Sequence, residues 1–212
     1  MGGRSLTEQQ PHSYVLACDF KVDAVDRVWE AVSQHRDTLA QVGAHHLVVY
    51  SALWDPSRVF VTTGIRAHQS IERIVRSPNI LQWFDAFGVD DLPPVFGGEV
   101  VEKIDLVDGS SMTADGVVVL AVIATVADVD RLVAGVHEAE EQFRSAGVRR
   151  VWIYRALDDS SEVMILEEID SEDNVRKWID KPDAAAEWMS GAGLGAYPPM
   201  FIGRFAHLMA ID

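Results

Sequence analysis

The chain has 212 residues, of which 48% are hydrophobic and 24% charged, and its formal net charge at pH 7 is -15. This composition is typical of a globular protein with a substantial core, and it excludes an intrinsically disordered chain. The negative charge disfavours nucleic acid and anionic membrane surfaces as partners, because both are themselves negatively charged.

The chain starts with a polar stretch, residues 1–12, which we expect to be a disordered tail. This stretch lacks the apolar core of a signal peptide, and no apolar run reaches the roughly 18 residues that a membrane span requires. Cys18 is the single cysteine, so an internal disulfide and a cysteine-based zinc site are both excluded. We therefore expect a cytoplasmic protein with no membrane partner.

Residues 13–106 predict a first folding unit. The apolar run SYVLACDFKV predicts a strand, and a segment of helical periodicity follows it as far as Gly43. A hairpin is predicted next, from the two apolar runs HHLVVYSAL and RVFVTTGI and the turn WDPS between them. Short helices beginning in RAHQSIERIV and a last strand, GGEVVEKIDLV, complete the unit. This order of elements is the ferredoxin-like βαββαβ pattern.

Residues 117–212 repeat that unit, and the polar stretch 107–116 predicts a linker between the two copies. YRALDDSSEVMILEEI (154–169) shares residue types with YSALWDPSRVFVTTGI (50–65) at a constant offset of 104 residues. After one inserted residue, PPMFIG at 198–203 corresponds to PPVFGG at 93–98. Nearly the whole chain is therefore a tandem duplication.

The predicted strands are apolar at nearly every position, which is typical of strands buried on both faces. Helices can cover one face of each sheet, and the second copy supplies a cover for the other face. We therefore expect an α+β fold in which two tandem ferredoxin-like (βαββαβ) units pack sheet to sheet as a fused pseudo-dimeric α+β barrel. Such a chain is expected to be a monomer or a homodimer.

Two segments of the chain carry a resemblance to a known group of proteins: RVFVTTGIRAHQSIERIVRSPNILQWF and EVMILEEIDSEDNVRKWIDKPDAAAEW. Each resembles the strand, acidic turn and short helix of the dimeric α+β barrel superfamily, which contains antibiotic-biosynthesis monooxygenases and haem-degrading relatives. The resemblance implies a barrel fold and directs attention to small-molecule chemistry.

The haem-degrading relatives have a Trp at the end of the third strand and a His on the following helix. Ile65 and Ile169 occupy the first position here, while Trp83–Phe84 and Glu187–Trp188 occupy the second. Since no histidine matches the expected iron ligand, we expect no haem and no other cofactor.

Other possible motifs are weak. The glycine stretch GAGLGAYPP (191–199) follows a helical pattern and precedes a strand, which is the reverse of a dinucleotide-binding loop. HEAEE (137–141) lacks the second histidine of a zinc motif. His45 and His46 are adjacent on a predicted strand and are expected to point to opposite faces, so no metal site is predicted.

The second strand of each unit is the strongest candidate for a site. His46 and Tyr50 share a face of that strand in the first unit, as Trp152 and Tyr154 do in the second. Glu167 lies on the neighbouring strand, where an unpaired carboxylate is costly, so we expect it to have a partner or a raised pKa. The ligand-binding candidates are Trp152, Tyr154, Trp188, Tyr50, His46 and Trp83.

Two interpretations of these residues stay open. In one they form an ordinary aromatic core, with Glu167 bridged to Arg150 or to water. In the other, Trp152, Tyr154 and Trp188 line a pocket between sheet and helices that takes a small apolar or aromatic molecule, and the second unit is favoured as its place.

The leading functional prediction is a small-molecule-binding protein with no catalytic motif. The alternative is a cofactor-independent monooxygenase that acts on an aromatic or polyketide-like substrate. In that case Glu167 or His207 would be the catalytic base.

Overall fold

The computed structural model of the chain describes residues 14–75, 84–85, 89, 93–109, 116–180 and 199–211. The first unit contains β1 (Tyr14–Lys21), α1 (Val25–Gln34), α2 (Arg36–Gln41), β2 (Ala44–Ala52), β3 (Arg58–Ile65), α3 (His68–Val75) and β4 (Val95–Asp105). The second unit contains β5 (Val118–Thr125), α4 (Val129–Glu138), α5 (Glu140–Ser145), β6 (Val148–Ala156), β7 (Glu162–Ile169), α6 (Glu172–Ile179) and β8 (Met200–Ala210). The predicted repetition of strand, helix, hairpin, helix and strand is confirmed.

The described strands form one closed antiparallel barrel in the order β1-β3-β2-β8-β5-β7-β6-β4. Each unit supplies four neighbouring strands, and the units are joined by strand pairing at two seams, β2 with β8 and β4 with β6. The predicted pseudo-dimeric barrel is confirmed. The packing of the two sheets against each other was expected from the sequence, but the hydrogen bonds between their edges were not. These bonds remove the exposed edges from all the described strands.

The inner faces of the two sheets enclose an apolar lumen. Along β3, for example, Phe60 points inward, while Val59 and Val61 point outward to the helices. The rings of Phe60 and Phe201, one from each unit, stack with centroids 5.2 Å apart. The largest inward side chains are Tyr50, Phe60, Phe96, Trp152, Tyr154 and Phe201.

The outer face of each sheet is covered by the helices of its own unit. In the first unit the buried residues Val28 and Leu39 pack towards Val61, and in the second Leu132 and Phe143 pack towards Ile165. The single helix predicted at the start of each unit is divided in the structure, at His35 and at Ala139. Among the described helices, none is long and apolar enough to cross a membrane.

Each unit carries a β-bulge at the start of its second strand. Ala44 pairs with Ile65 but His46 pairs with Gly64, so that β2 contains one extra residue, His45. The bulge brings the two histidines together, with their Nδ1 atoms 3.0 Å apart. The prediction that these side chains point to opposite faces is wrong, because strict alternation fails at a bulge.

The seam between β2 and β8 depends on a glycine, and this gives a first testable prediction. A Cβ atom at Gly203 would lie 2.5 Å from the carbonyl oxygen of Ser51 across the seam and 2.5 Å from the Phe201 ring. We expect Gly203→Ala to lower the free energy of unfolding by about 1–3 kcal/mol, because strand backbone has little freedom to move away. Urea denaturation measures this change.

The matched control is Gly135→Ala on α4, where a Cβ atom would meet nothing within 4 Å. This substitution is expected to raise the free energy of unfolding by roughly 0.5–1 kcal/mol, since alanine is the better helix former. Equal effects of the two substitutions would contradict a close-packed seam.

Candidate functional site

The structure places the predicted aromatic candidates inside the barrel. Tyr50, Trp152 and Tyr154 are buried in the lumen, where they pack against residues of both units. His46 lies half-buried near one end of the lumen, beside Gly64. Trp83 and Trp188 fall outside the described residues.

Glu167 lies on the opposite face of the sheet from these aromatic residues. Its backbone partners are Val151 and Leu120, both of which belong to the core between the sheet and the helices of the second unit. The predicted convergence of Glu167 with Trp152 and Tyr154 is therefore wrong. The cause is strand alternation, since Trp152 pairs with Leu166 and not with Glu167.

The Glu167 carboxyl group is almost completely buried, at 2% exposure. Among the described residues, its Oε2 atom has no hydrogen-bond partner. Burial raises its pKa from 4.5 to about 7. The predicted raised pKa is thus present, whereas Arg150 pairs with the next residue along the chain, Glu168.

Glu168 is the carboxylate that faces the lumen, and it was not among the site residues predicted from the sequence. Its Oε2 atom lies 3.5 Å from Nη1 of Arg150, which in turn pairs with Asp105. Burial raises the pKa of Glu168, and the charge of Arg150 opposes that rise. Burial, together with the nearby Glu168, also raises the pKa values of Tyr50 and Tyr154, so both tyrosines are neutral at physiological pH.

His207 lies against the first unit. Its ring stacks on that of Trp29 with centroids 4.7 Å apart, and its Nε2 atom lies 3.6 Å from Oδ1 of Asp26 on α1. Since Glu167 lies in the helix-side core of the second unit, the two predicted bases do not form one site.

A pocket lies in the first unit, between the outer face of the sheet and the helices α1, α2 and α3. It contains about 680 Å³ of space that no protein atom occupies, part of which is open to solvent. The preference for the second unit rests partly on Trp188, which lies outside the described residues, and stays a prediction. The pocket is lined by Leu16, Ala17, Cys18, Ala31, Val32, His35, Leu39, Leu47, Val61, Thr63, Ile74, Phe84 and Val95.

Some lining residues have larger counterparts in the second unit, while others, such as His35 with Ala139, have smaller ones. Phe143 stands where the first unit has Leu39, and Ile165 stands where it has Val61. Both larger side chains are buried in the core of the second unit. Glu167 likewise stands where the first unit has Thr63.

Few polar groups lie along this pocket wall: the side chains of Cys18, His35 and Thr63. Burial raises the pKa of the Cys18 thiol to about 12, so the thiol is neutral at physiological pH and is a poor nucleophile. His35 ends α1, and its Nδ1 atom lies 2.7 Å from the carbonyl oxygen of Ala31. Because a carbonyl only accepts hydrogen bonds, Nδ1 carries a proton and donates it to Ala31.

Comparison with solved structures identifies the fold. An anthrone oxidase-like protein matches with a TM-score of 0.71 and 13% sequence identity, over 95% of this chain and 94% of its own. A candidate monooxygenase from Fusobacterium nucleatum subsp. nucleatum ATCC 25586 matches with a TM-score of 0.60 and 10% identity, over 93% of this chain and 94% of its own. This chain has the dimeric α+β barrel fold.

The resemblance to the dimeric α+β barrel superfamily is thus confirmed at the level of the fold. A regulator of staphylococcal pathogenesis shares the architecture as well, with a TM-score of 0.52 and 10% identity over 92% of this chain and 99% of its own. No protein-family model and no curated protein matches the sequence. Dimeric α+β barrels of different descriptions therefore share this architecture, and function has to be argued from the site itself.

The buried carboxyl group of Glu167 gives a prediction about pH. The folded pKa of about 7 lies above the ordinary 4.5, so folding is penalised increasingly as the pH rises through that interval. We expect Glu167→Gln to raise the free energy of unfolding at pH 8 by up to about 3 kcal/mol and to give no gain at pH 4. Denaturant titrations at both pH values measure the difference.

The matched control for this prediction is Glu141→Gln, because the side chain of Glu141 is 92% exposed. Its effect should stay within about 0.5 kcal/mol at both pH values. A Glu167→Gln effect that did not change between pH 4 and pH 8 would show that the carboxyl group is not held in its neutral form.

Proposed function

We propose that this protein binds a small apolar molecule in the pocket between the sheet and the helices of its first unit. The observation that carries the proposal is the pocket itself, an opening with a largely aliphatic wall between the sheet and the helices of the first unit. Close-packed interiors rarely leave open space between sheet and helices, and small-molecule sites are mostly apolar with a few polar groups.

The lining indicates the chemistry of the ligand. Aliphatic side chains such as Leu16, Leu47 and Ile74 form most of the wall and favour an apolar molecule. Thr63 and His35 supply hydrogen-bonding groups, which suit a ligand that carries a hydroxyl or carbonyl group. The apolar lumen of the barrel is filled by side chains of both units, so the first-unit pocket is the better candidate.

The leading form of the proposal is binding without catalysis. The Cys18 thiol stays neutral, and neither Glu167 nor His207 lies along the pocket wall. Of the lining residues in the described part of the chain, His35 alone carries an imidazole, a common acid–base group in proteins.

The test fills the pocket with the residues that the second unit already accommodates. The double variant Leu39→Phe/Val61→Ile should bind 1-naphthol at least about tenfold more weakly than the parent, a loss of about 1.4 kcal/mol, measured by isothermal titration calorimetry. Leu53→Phe is the matched control, because Leu53 packs on the core of the second unit. Equal affinities of parent and double variant would place binding outside this pocket.

A second candidate function is a cofactor-independent monooxygenase that acts on an aromatic or polyketide-like substrate, and the imidazole of His35 at the pocket wall favours it. The neutral ring would take a proton from an activated methylene group of the substrate. The resulting carbanion reduces dioxygen, so that one methylene group and one dioxygen molecule give one carbonyl group and one water molecule. The protein's own contribution is the base and an apolar, enclosed place for the substrate.

Oxygen uptake tests this second candidate. With anthrone as substrate, His35→Gln should slow uptake by about 100-fold or more, because general-base catalysis typically contributes that much. His137→Gln is the control, since His137 lies on α4 with its ring paired to Glu140. If the parent protein consumes no oxygen with anthrone or with a panel of quinols, the binding function alone stands.

A further inference from the structure

The bulge at the start of β2 brings two consecutive histidines to the same side of the sheet. His45 is the extra residue, and the rings of His45 and His46 both lie over Gly64 on β3. A Cβ atom at Gly64 would lie 2.6 Å from Nε2 of His45 and 2.5 Å from Nδ1 of His46. Glycine at position 64 therefore provides the room in which the two rings meet.

The spacing of the two rings matches that of two ligands on one metal ion. Their Nδ1 atoms are 3.0 Å apart, and their ring centroids are 4.5 Å apart. Two histidine nitrogens bound at about 2.0–2.1 Å, at the right angle of a square-planar ion, lie about 2.9 Å apart. We propose that His45 and His46 form a two-histidine site for a divalent ion of square-planar preference, Cu²⁺ or Ni²⁺.

The backbone around the pair is fixed before any metal binds. The carbonyl oxygen of His45 accepts a hydrogen bond from the backbone N–H of Ile211, at 3.0 Å, just after β8 ends. Ala44, which precedes the pair, is fully buried. A site whose backbone is held on both sides loses little conformational entropy when it binds.

The site offers two protein ligands and leaves other coordination positions open. No group of three or more His, Cys, Asp or Glu side chains suited to a metal occurs within the described ranges. Both histidines are half-buried, so water or atoms of a small molecule can complete the coordination sphere. Neither histidine lines the first-unit pocket, and the inference does not rest on the proposed function.

The second unit repeats the bulge with different chemistry. There Val148 pairs with Ile169 and Arg150 with Glu168, so that Arg149 is the extra residue. Arginine side chains stay protonated and do not ligate metals. The duplication therefore predicts one metal ion per chain, in the first unit, and none at the corresponding place in the second.

The simpler explanation of the short contact is a hydrogen bond in which one Nδ1–H donates to the other ring. Metal binding differs from this in a measurable way, because each neutral ring would then carry its proton on Nε2 and bind the metal through Nδ1. Binding should therefore weaken as the pH falls and the imidazoles become protonated.

The experiment titrates the full chain with CuCl₂ alone and records electron paramagnetic resonance spectra. One Cu²⁺ per chain with hyperfine splitting from two nitrogen atoms is the expected result. Loss of a residue that only supports a metal ligand usually weakens metal binding about 10–100-fold. Removal of a ligand itself, in His45→Asn or His46→Asn, should therefore lower the copper affinity at least about tenfold. The splitting from one nitrogen atom should also disappear from the spectrum. His137→Asn is the matched control and should bind like the parent.

Gly64→Ala gives an independent test that leaves both histidines in place. Its methyl group would displace the rings, so copper affinity should fall while the circular dichroism spectrum stays that of the parent. Copper binding that is unchanged in His45→Asn, in His46→Asn or in a folded Gly64→Ala overturns the inference. A parent chain that binds copper no more tightly than the double variant His45→Asn/His46→Asn overturns it too.

Discussion

The two seams that join β2 to β8 and β4 to β6 are the constraint on which the rest of the structure depends. Each half would otherwise expose two strand edges and an apolar sheet face to water. Closure pairs the edges and buries the inner faces against each other in one step. It also fixes the outer faces, because side chains alternate along every strand. The first-unit pocket and the buried Glu167 lie on that outer face for the same reason.

Fusion of the two units in one chain removes a restriction that a symmetric dimer would impose. In a homodimer any pocket or bulge appears twice, whereas here the halves have different residues at corresponding positions. Leu39 and Val61 line the first-unit pocket, and the larger Phe143 and Ile165 stand at the corresponding places of the second unit. In the same way one bulge presents two imidazoles and the other presents two guanidinium groups. The chain therefore has the backbone of a dimer but carries two different sets of side chains.

The sequence predicted the fold because the repeat constrains it strongly: matched strands at a constant offset have to occupy equivalent places. It failed where the outcome depends on a single residue of register. Strict alternation is interrupted at each bulge. In the first unit the sequence sign of the bulge is the spacing of the apolar residues Ala44 and Leu47, which lie three positions apart instead of two. The choice between Glu167 and Glu168 as the lumenal carboxylate depends on the same register. The pocket depends on small differences in side-chain volume, which hydrophobic patterns do not record.

Hydrogen exchange at the seams tests the central claim most directly. If the closed barrel is one cooperative unit, the backbone amides between β2 and β8 and between β4 and β6 should exchange only through global unfolding. Their opening free energies should then equal those of amides between β1 and β3, inside a single unit. Seam amides that open at a much lower free energy would show that the halves separate in the native protein, and that would contradict the account.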